Sequence, residues 1–159
     1  MNAVLDPKRF RLLEGLPQNV VDALNGMATV TSYKEGDLVM AQGEPADTFF
    51  FHIRGKAKLE DAVDDEFKVT LGDVRTGYCY GWSSLVEGGR YQTNVICSDE
   101  CQVAEVKGTD LLALLSEHQD AGYRFMANLN QLLMDRLKLR TSQLVKVLET
   151  HPDLEKIQS

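Results

Sequence analysis

The chain is poor in the residues that build catalytic and metal centres. Its 159 residues include only three histidines, three cysteines and one tryptophan. Cys79, Cys97 and Cys101 are odd in number, and the C-x3-C spacing of the last two has no second pair or nearby histidine to complete a zinc set. They read as reduced thiols, which makes the cytoplasm the expected compartment. His52 stands alone in a strand-like segment, and His118 and His151 fall in helical ones, so no clustered histidines are available to hold a metal. No Ser–His–Asp or Cys–His constellation stands out. The expectation is no metal, no catalytic residue and no enzyme.

Long apolar runs are also missing. None approaches the roughly 18 residues of a membrane span, and Met1 to Phe10 carries Asp6, Lys8 and Arg9 where a signal peptide would need an apolar stretch. Positive charge is scarce: 17 Lys and Arg against 24 Asp and Glu leave a formal charge of −7. Phosphate contacts supply most of the affinity for nucleic acid, and this balance offers them no foothold. The exception is Arg124, Arg136, Lys138, Arg140 and Lys146, which run beside Asp135 and Glu149 and read as a solvated helix face.

What is present is an ordinary globular composition, 43% hydrophobic and 26% charged. Length and pattern predict one domain over residues 1–159, with helices over 1–27, a β-roll over 28–107 and helices over 109–151. Asp6 before Pro7 predicts a helix start, with Phe10, Leu12, Leu13 and Leu16 as its apolar face. Pro17 opens a second short helix bearing Val20, Val21, Leu24 and Met27. From Ala28 the period changes to many short strands punctuated by Gly turns, which predicts a sandwich or jelly roll. Phe49 to Ile53 reads as a strand buried throughout, and Asp61 to Asp65 as an acidic hairpin tip.

At Thr109 the pattern turns helical again, first to His118 and then from about Ala121 to Thr150, ended by Pro152. The second helix, roughly 45 Å at 1.5 Å per residue, is longer than one small domain covers. Met126, Asn130, Leu133, Leu137, Arg140, Leu144, Val147 and His151 alternate in steps of four and three, a heptad seam that predicts a homodimer through 121–150. A seam arginine facing its symmetry mate is unfavourable, so Arg140 is expected to angle outward, towards an acidic group of the other chain. Phe125, Leu129 and Leu132 would pack the other face on the roll.

This order resembles the cyclic-nucleotide-binding domain of catabolite-activator-type bacterial regulators and protein kinase A regulatory subunits. The resemblance is carried by Tyr33-Lys34-Glu35-Gly36-Asp37, Gly43-Glu44-Pro45-Ala46-Asp47, Phe49 to Gly55, Gly77 with Gly81, and Val103-Ala104-Glu105-Val106. It implies a mainly β fold, a double-stranded β-helix or jelly roll with an N-terminal helical pair and a long C-terminal helix. It implies a regulatory, ligand-sensing function. Bacterial relatives append a helix-turn-helix after the long helix; here only Asp153 to Ser159 follow Pro152, so no direct DNA binding is expected.

The segment that would bind the cyclic phosphate departs from the family. In the family a glutamate accepts the ribose hydroxyl, a helical turn offers backbone N–H groups, and an arginine supplies the counter-charge. Here Trp82 stands at the glutamate position and Tyr91 at the arginine position. The frame remains: Gly81, Ser83, Ser84 and Leu85 can open a turn, and Gln92 and Thr93 add neutral partners. The family's Thr-Ser on the closing helix matches Thr141-Ser142. Arg90, beside the flexible pair Gly88-Gly89, is a candidate for the missing charge. Adjacent side chains of an extended segment face opposite ways, which argues against it.

Two readings follow. In one, a cyclic nucleotide or another small anionic or aromatic ligand binds weakly beneath this turn and shifts the long helix. In the other, Trp82 and Tyr91 fill a degenerate pocket and the chain serves for dimerisation or docking to a protein partner.

Overall fold

The structure, a computed structural model, describes residues 3–151. Helix α1 (Gln18–Met27) precedes eight strands: β1 (Thr29–Tyr33), β2 (Leu38–Met40), β3 (Thr48–Arg54), β4 (Ala57–Ala62), β5 (Lys68–Val74), β6 (Cys79–Tyr80), β7 (Asn94–Cys97) and β8 (Cys101–Lys107). Helices α2 (Gly108–Glu117) and α3 (Gln119–Glu149) close the described chain. The strands form two antiparallel four-stranded sheets, in the orders β1-β8-β3-β6 and β2-β7-β4-β5. The fold is therefore mainly β, a jelly roll flanked by helices.

β3 shows why a strand can read as one continuous apolar run. Phe49, Phe51 and Ile53 pack outward against Phe10, Leu13, Leu111 and Phe125 of the helical layer. Phe50 points the other way, into the roll, among Tyr80, Val95 and Val103. Both faces are covered, so no polar alternation is needed. Phe49 and Phe51 are wholly buried, each worth about 1.5–3 kcal/mol relative to exposure.

The first expected helix is absent. Asp6 does cap a turn, its carboxylate accepting from Lys8 N–H at 2.8 Å, but only a 3-10 turn at Arg11–Leu13 follows. Leu5, Phe10, Leu12, Leu13 and Leu16 are all buried, and no single helical face could bury all of them.

A register shift in the β4–β5 pair has consequences for the site. Leu59 faces Gly72 and Glu60 faces Thr70, so Leu71 is an extra residue, a β-bulge. Its carbonyl is taken by α3, from Arg140 Nη1 at 2.5 Å and Gln143 Nε2 at 3.2 Å.

α3 has 31 residues, about 46 Å at 1.5 Å per residue. It buries Ala121, Gly122, Phe125 and Leu129 at its start, and further along it keeps contact with the strands through Arg136, Arg140 and Gln143. The expected seam is corrected here. Leu133 packs into the protein's own helical core, and Arg140 turns back onto Leu71 rather than outward. Leu137, Leu144 and Val147 of the expected seam remain exposed, and Met134 and Thr141 take the places of Leu133 and Arg140 in the exposed stripe. Pro152, expected to end the helix, lies with the segment after it outside the described residues.

Candidate functional site

The turn after β6 is built on Gly81, whose φ of +81° suits glycine. A Cβ there would lie 2.7 Å from Thr48 O and 2.8 Å from the Phe50 ring. The chain then enters a 3-10 turn, Trp82–Leu85, rather than a longer helix. Ser84 N–H and Ser84 Oγ both donate to Gly81 O, at 3.0 and 2.7 Å, so these donors are not free for a ligand.

A cavity of about 170 Å³ opens beside this turn. The sheets contribute Met40, Leu59, Leu71 and Tyr80; the turn and the strand approaching β7 contribute Gly81, Trp82, Ser83, Tyr91, Gln92 and Thr93; and α3 contributes Arg136, Leu137 and Arg140. Six of the residues singled out in the sequence are thus brought together. The others are placed elsewhere. Ser84 is buried beneath α2, and Leu85 packs into the helical core. Thr141 and Ser142 bond to Leu137 O and Lys138 O of their own helix, at 2.9 and 3.0 Å, and do not line the cavity.

Arg90 does not reach the cavity either. Its Nη1 donates to Gly43 O at 2.8 Å, and the residue bridges Pro45. The glycine loop does not act as a free hinge. Gly89 O accepts from Ala46 N–H at 2.9 Å, and a Cβ on Gly89 would sit 2.0 Å from Ser83 O.

Tyr91 is held as a structural pin. Its hydroxyl lies 3.0 Å from both the N–H and the C=O of Thr48, accepting from one and donating to the other. Its ring is buried near Phe50, and that burial raises its phenol pKa. Trp82 packs against both cores and takes part in an unexpected contact. The Arg136 guanidinium lies 3.5 Å from the centre of the Tyr78 ring and 4.7 Å from that of Trp82, cation–π geometry. Arg136 Nη2 donates to Cys79 O at 3.1 Å, and Nη1 is buried with no acceptor among the described residues.

Arg136 and Arg140 are the residues that sequence reasoning missed. Their four-residue spacing puts them on one helix face, but the charge pattern reads equally as a solvated surface. Only the docking of α3 onto the bulge shows where that face points. Burial lowers the Arg136 pKa, and the like charge of Arg140 lowers it further; an arginine stays protonated regardless.

Behind the cavity, His52 is fully buried with Nε2 2.9 Å from Gly55 O and Nδ1 3.3 Å from Tyr80 Oη. A carbonyl only accepts, so Nε2 carries the proton and Nδ1 accepts from Tyr80. Burial holds the His52 pKa below 6.5 and raises that of Tyr80 well above its ordinary value. Among the described residues no group of His, Cys, Asp and Glu is placed to hold a metal, and no helix is long and apolar enough to cross a membrane.

Comparison with known proteins places this geometry. Glutaminase 1 of Bradyrhizobium diazoefficiens is 32% identical over 126 residues, covering 79% of this chain and 20% of that protein. Human cGMP-dependent protein kinase 2 is 24% identical over 125 residues, 76% of this chain and 16% of the kinase. The chain thus spans a fifth or less of these relatives' length. A cyclic nucleotide-binding domain structure from Methylobacillus flagellatus superposes with a TM-score of 0.76 at 16% identity, over 87% of this chain and 82% of that one. The family model described as Cyclic nucleotide-binding domain matches residues 30–118. With the roll, the glycine turn and the closing helix in place, the chain belongs to the cyclic nucleotide-binding domain family.

Proposed function

We propose that this domain is a non-catalytic, ligand-sensing regulatory module that binds cyclic AMP weakly. The observation that carries the reading is the division of the cavity wall. One side is the turn Gly81–Ser83 with Gln92 and Thr93, and the facing side is Arg136, Leu137 and Arg140 of α3. A molecule entering between them touches both, and differential contact of this kind is what moves a two-state element. Weak cyclic AMP binding follows from Trp82 and Tyr91 at the ribose and phosphate positions, with Tyr91 committed to Thr48. The output belongs to a larger assembly, as the small share of its longer relatives suggests. Thermal shift against cyclic AMP, cyclic GMP and a metabolite panel tests this. A ligand at 100 times its dissociation constant adds about 2.7 kcal/mol of stability, whereas no shift with any compound rejects the sensing reading.

The second reading, dimerisation, is supported by the exposed stripe of α3. Met134, Leu137 and Leu144 are 58%, 68% and 59% exposed on it, with three- and four-residue spacing that suits a paired helix. The two readings are compatible, because the cavity side of α3 and this stripe draw mainly on different residues.

A further inference from the structure

The charge of the cavity is opposite to that of the chain. In a protein of formal charge −7, the lining holds Arg136 and Arg140 and no Asp or Glu. Among the described residues neither guanidinium has a carboxylate within 4.0 Å. Arg140 is held by neutral acceptors, Leu71 O and Gln143 Oε1, and Arg136 by a carbonyl and two ring faces. Like charges four residues apart on a helix repel, and a buried guanidinium N–H without an acceptor is costly. An anion bound in the cavity that both residues line offsets their mutual repulsion.

The rest of the lining sets the size and character of such an anion. Met40, Leu59, Leu71, Tyr80 and Leu137 are apolar or aromatic. The free volume of about 170 Å³ falls below the roughly 300 Å³ at which ligand pockets usually begin. A purine nucleotide would have to displace α3, whereas a single ring enters as the cavity stands.

We propose, building on the ligand-sensing reading, that the cavity takes a compact organic anion: an apolar body of about one ring bearing a carboxylate or phosphate. Its charge is held by Arg136 and Arg140 of the long helix rather than by the loop carrying Arg90. The anion therefore grips the long helix directly, and the division of labour between loop and helix that the family resemblance implies is reversed.

Trp82 is the chain's one tryptophan and lies in the cavity wall, so its fluorescence reports occupancy. Benzoate and phenyl phosphate, titrated at millimolar concentration, are expected to shift Trp82 emission and raise Tm, and neutral benzamide is not. Arg140→Gln is expected to weaken benzoate and phenyl phosphate roughly 10- to 100-fold, the range for a charge-assisted hydrogen bond. Gln143→Ala removes the other tie to Leu71 O and one of the two acceptors of Arg140 without changing charge; Arg140 keeps Leu71 O, and binding is expected to stay within about twofold. Arg140→Lys keeps the charge and is expected to recover part of the loss.

Benzamide binding as well as benzoate, an unaffected Arg140→Gln variant, or equal losses in Arg140→Gln and Gln143→Ala each overturn the proposal. Binding of cyclic AMP or cyclic GMP without either acid overturns it and leaves the sensing reading standing. Failure of every probe, nucleotides and metabolite panel included, removes both and leaves the docking reading.

Discussion

One tyrosine hydroxyl, that of Tyr91, bonds to both main-chain groups of a single residue, Thr48, at 3.0 Å each. This ties the segment before β7 to the first residue of β3, at a position where the family resemblance implied a ligand-binding arginine. Tyr91→Phe keeps the ring and removes both bonds. It is expected to cost about 1–3 kcal/mol, each kcal/mol lowering Tm by about 2–4 °C. Thermal denaturation of the two proteins checks this, and an unchanged Tm would mean that Tyr91 is not a pin.

Cyclic AMP is expected to bind at least about a hundredfold more weakly than to a domain retaining both partners. A lost buried charge partner costs about 2–5 kcal/mol and a lost neutral hydrogen bond about 1. Calorimetry giving a low-micromolar dissociation constant contradicts this. The double variant Trp82→Glu with Tyr91→Arg is expected to bind cyclic AMP more tightly while melting at lower temperature, because the gain in ligand contacts removes the Thr48 tie.

His52 makes a pH-dependent contribution whose direction follows from its lowered pKa. Below the ordinary value of about 6.5 the unfolded chain takes up a proton that the folded one refuses. Stability is therefore fully present above that pH and is lost as pH falls towards the folded pKa. His52→Gln keeps a donor for Gly55 O and removes the titration. Urea denaturation at pH 8 and pH 5.5 is expected to show a larger loss in the parent than in this variant; equal losses reject the assignment.

The exposed stripe of α3 predicts a dimer whose mass in light scattering is twice the 17.8 kDa of the chain. Leu137→Glu with Leu144→Glu is expected to give a folded monomer, because the roll keeps both of its own cores. Measurement at tens of micromolar decides it, and a parent mass of one chain sinks the proposal.

The sequence was informative where pattern and burial coincide. Alternation, turn glycines and the Phe49–Ile53 run marked the roll, and Gly81, Trp82, Ser83, Tyr91, Gln92 and Thr93 were found because they are local to one segment. The cavity's other wall was not legible. Arg136 and Arg140 lie more than forty positions downstream of Thr93, and their orientation depends on a one-residue bulge at Leu71 that no composition signal marks. Two seam positions were misplaced for the same reason: the spacing of Leu133 and Arg140 satisfies a heptad, and only packing shows that both turn inward.

The bulge at Leu71 also sets which changes in length this protein can absorb. Extra residues at the hairpin tip, between β4 and β5, would lie beyond the last ladder pair, Ala62 with Lys68, and lengthen only solvent-facing chain. Losing one residue from the middle of β5 is different. Removing Leu71 would let the two strands pair without interruption, and the sheet would gain regularity. The carbonyl that receives Arg140 and Gln143 would be absorbed into the ladder, and the long helix would lose its fastening to the roll. Natural insertions and deletions in this hairpin are therefore expected to gather at its tip and to spare the irregular residue in its stem.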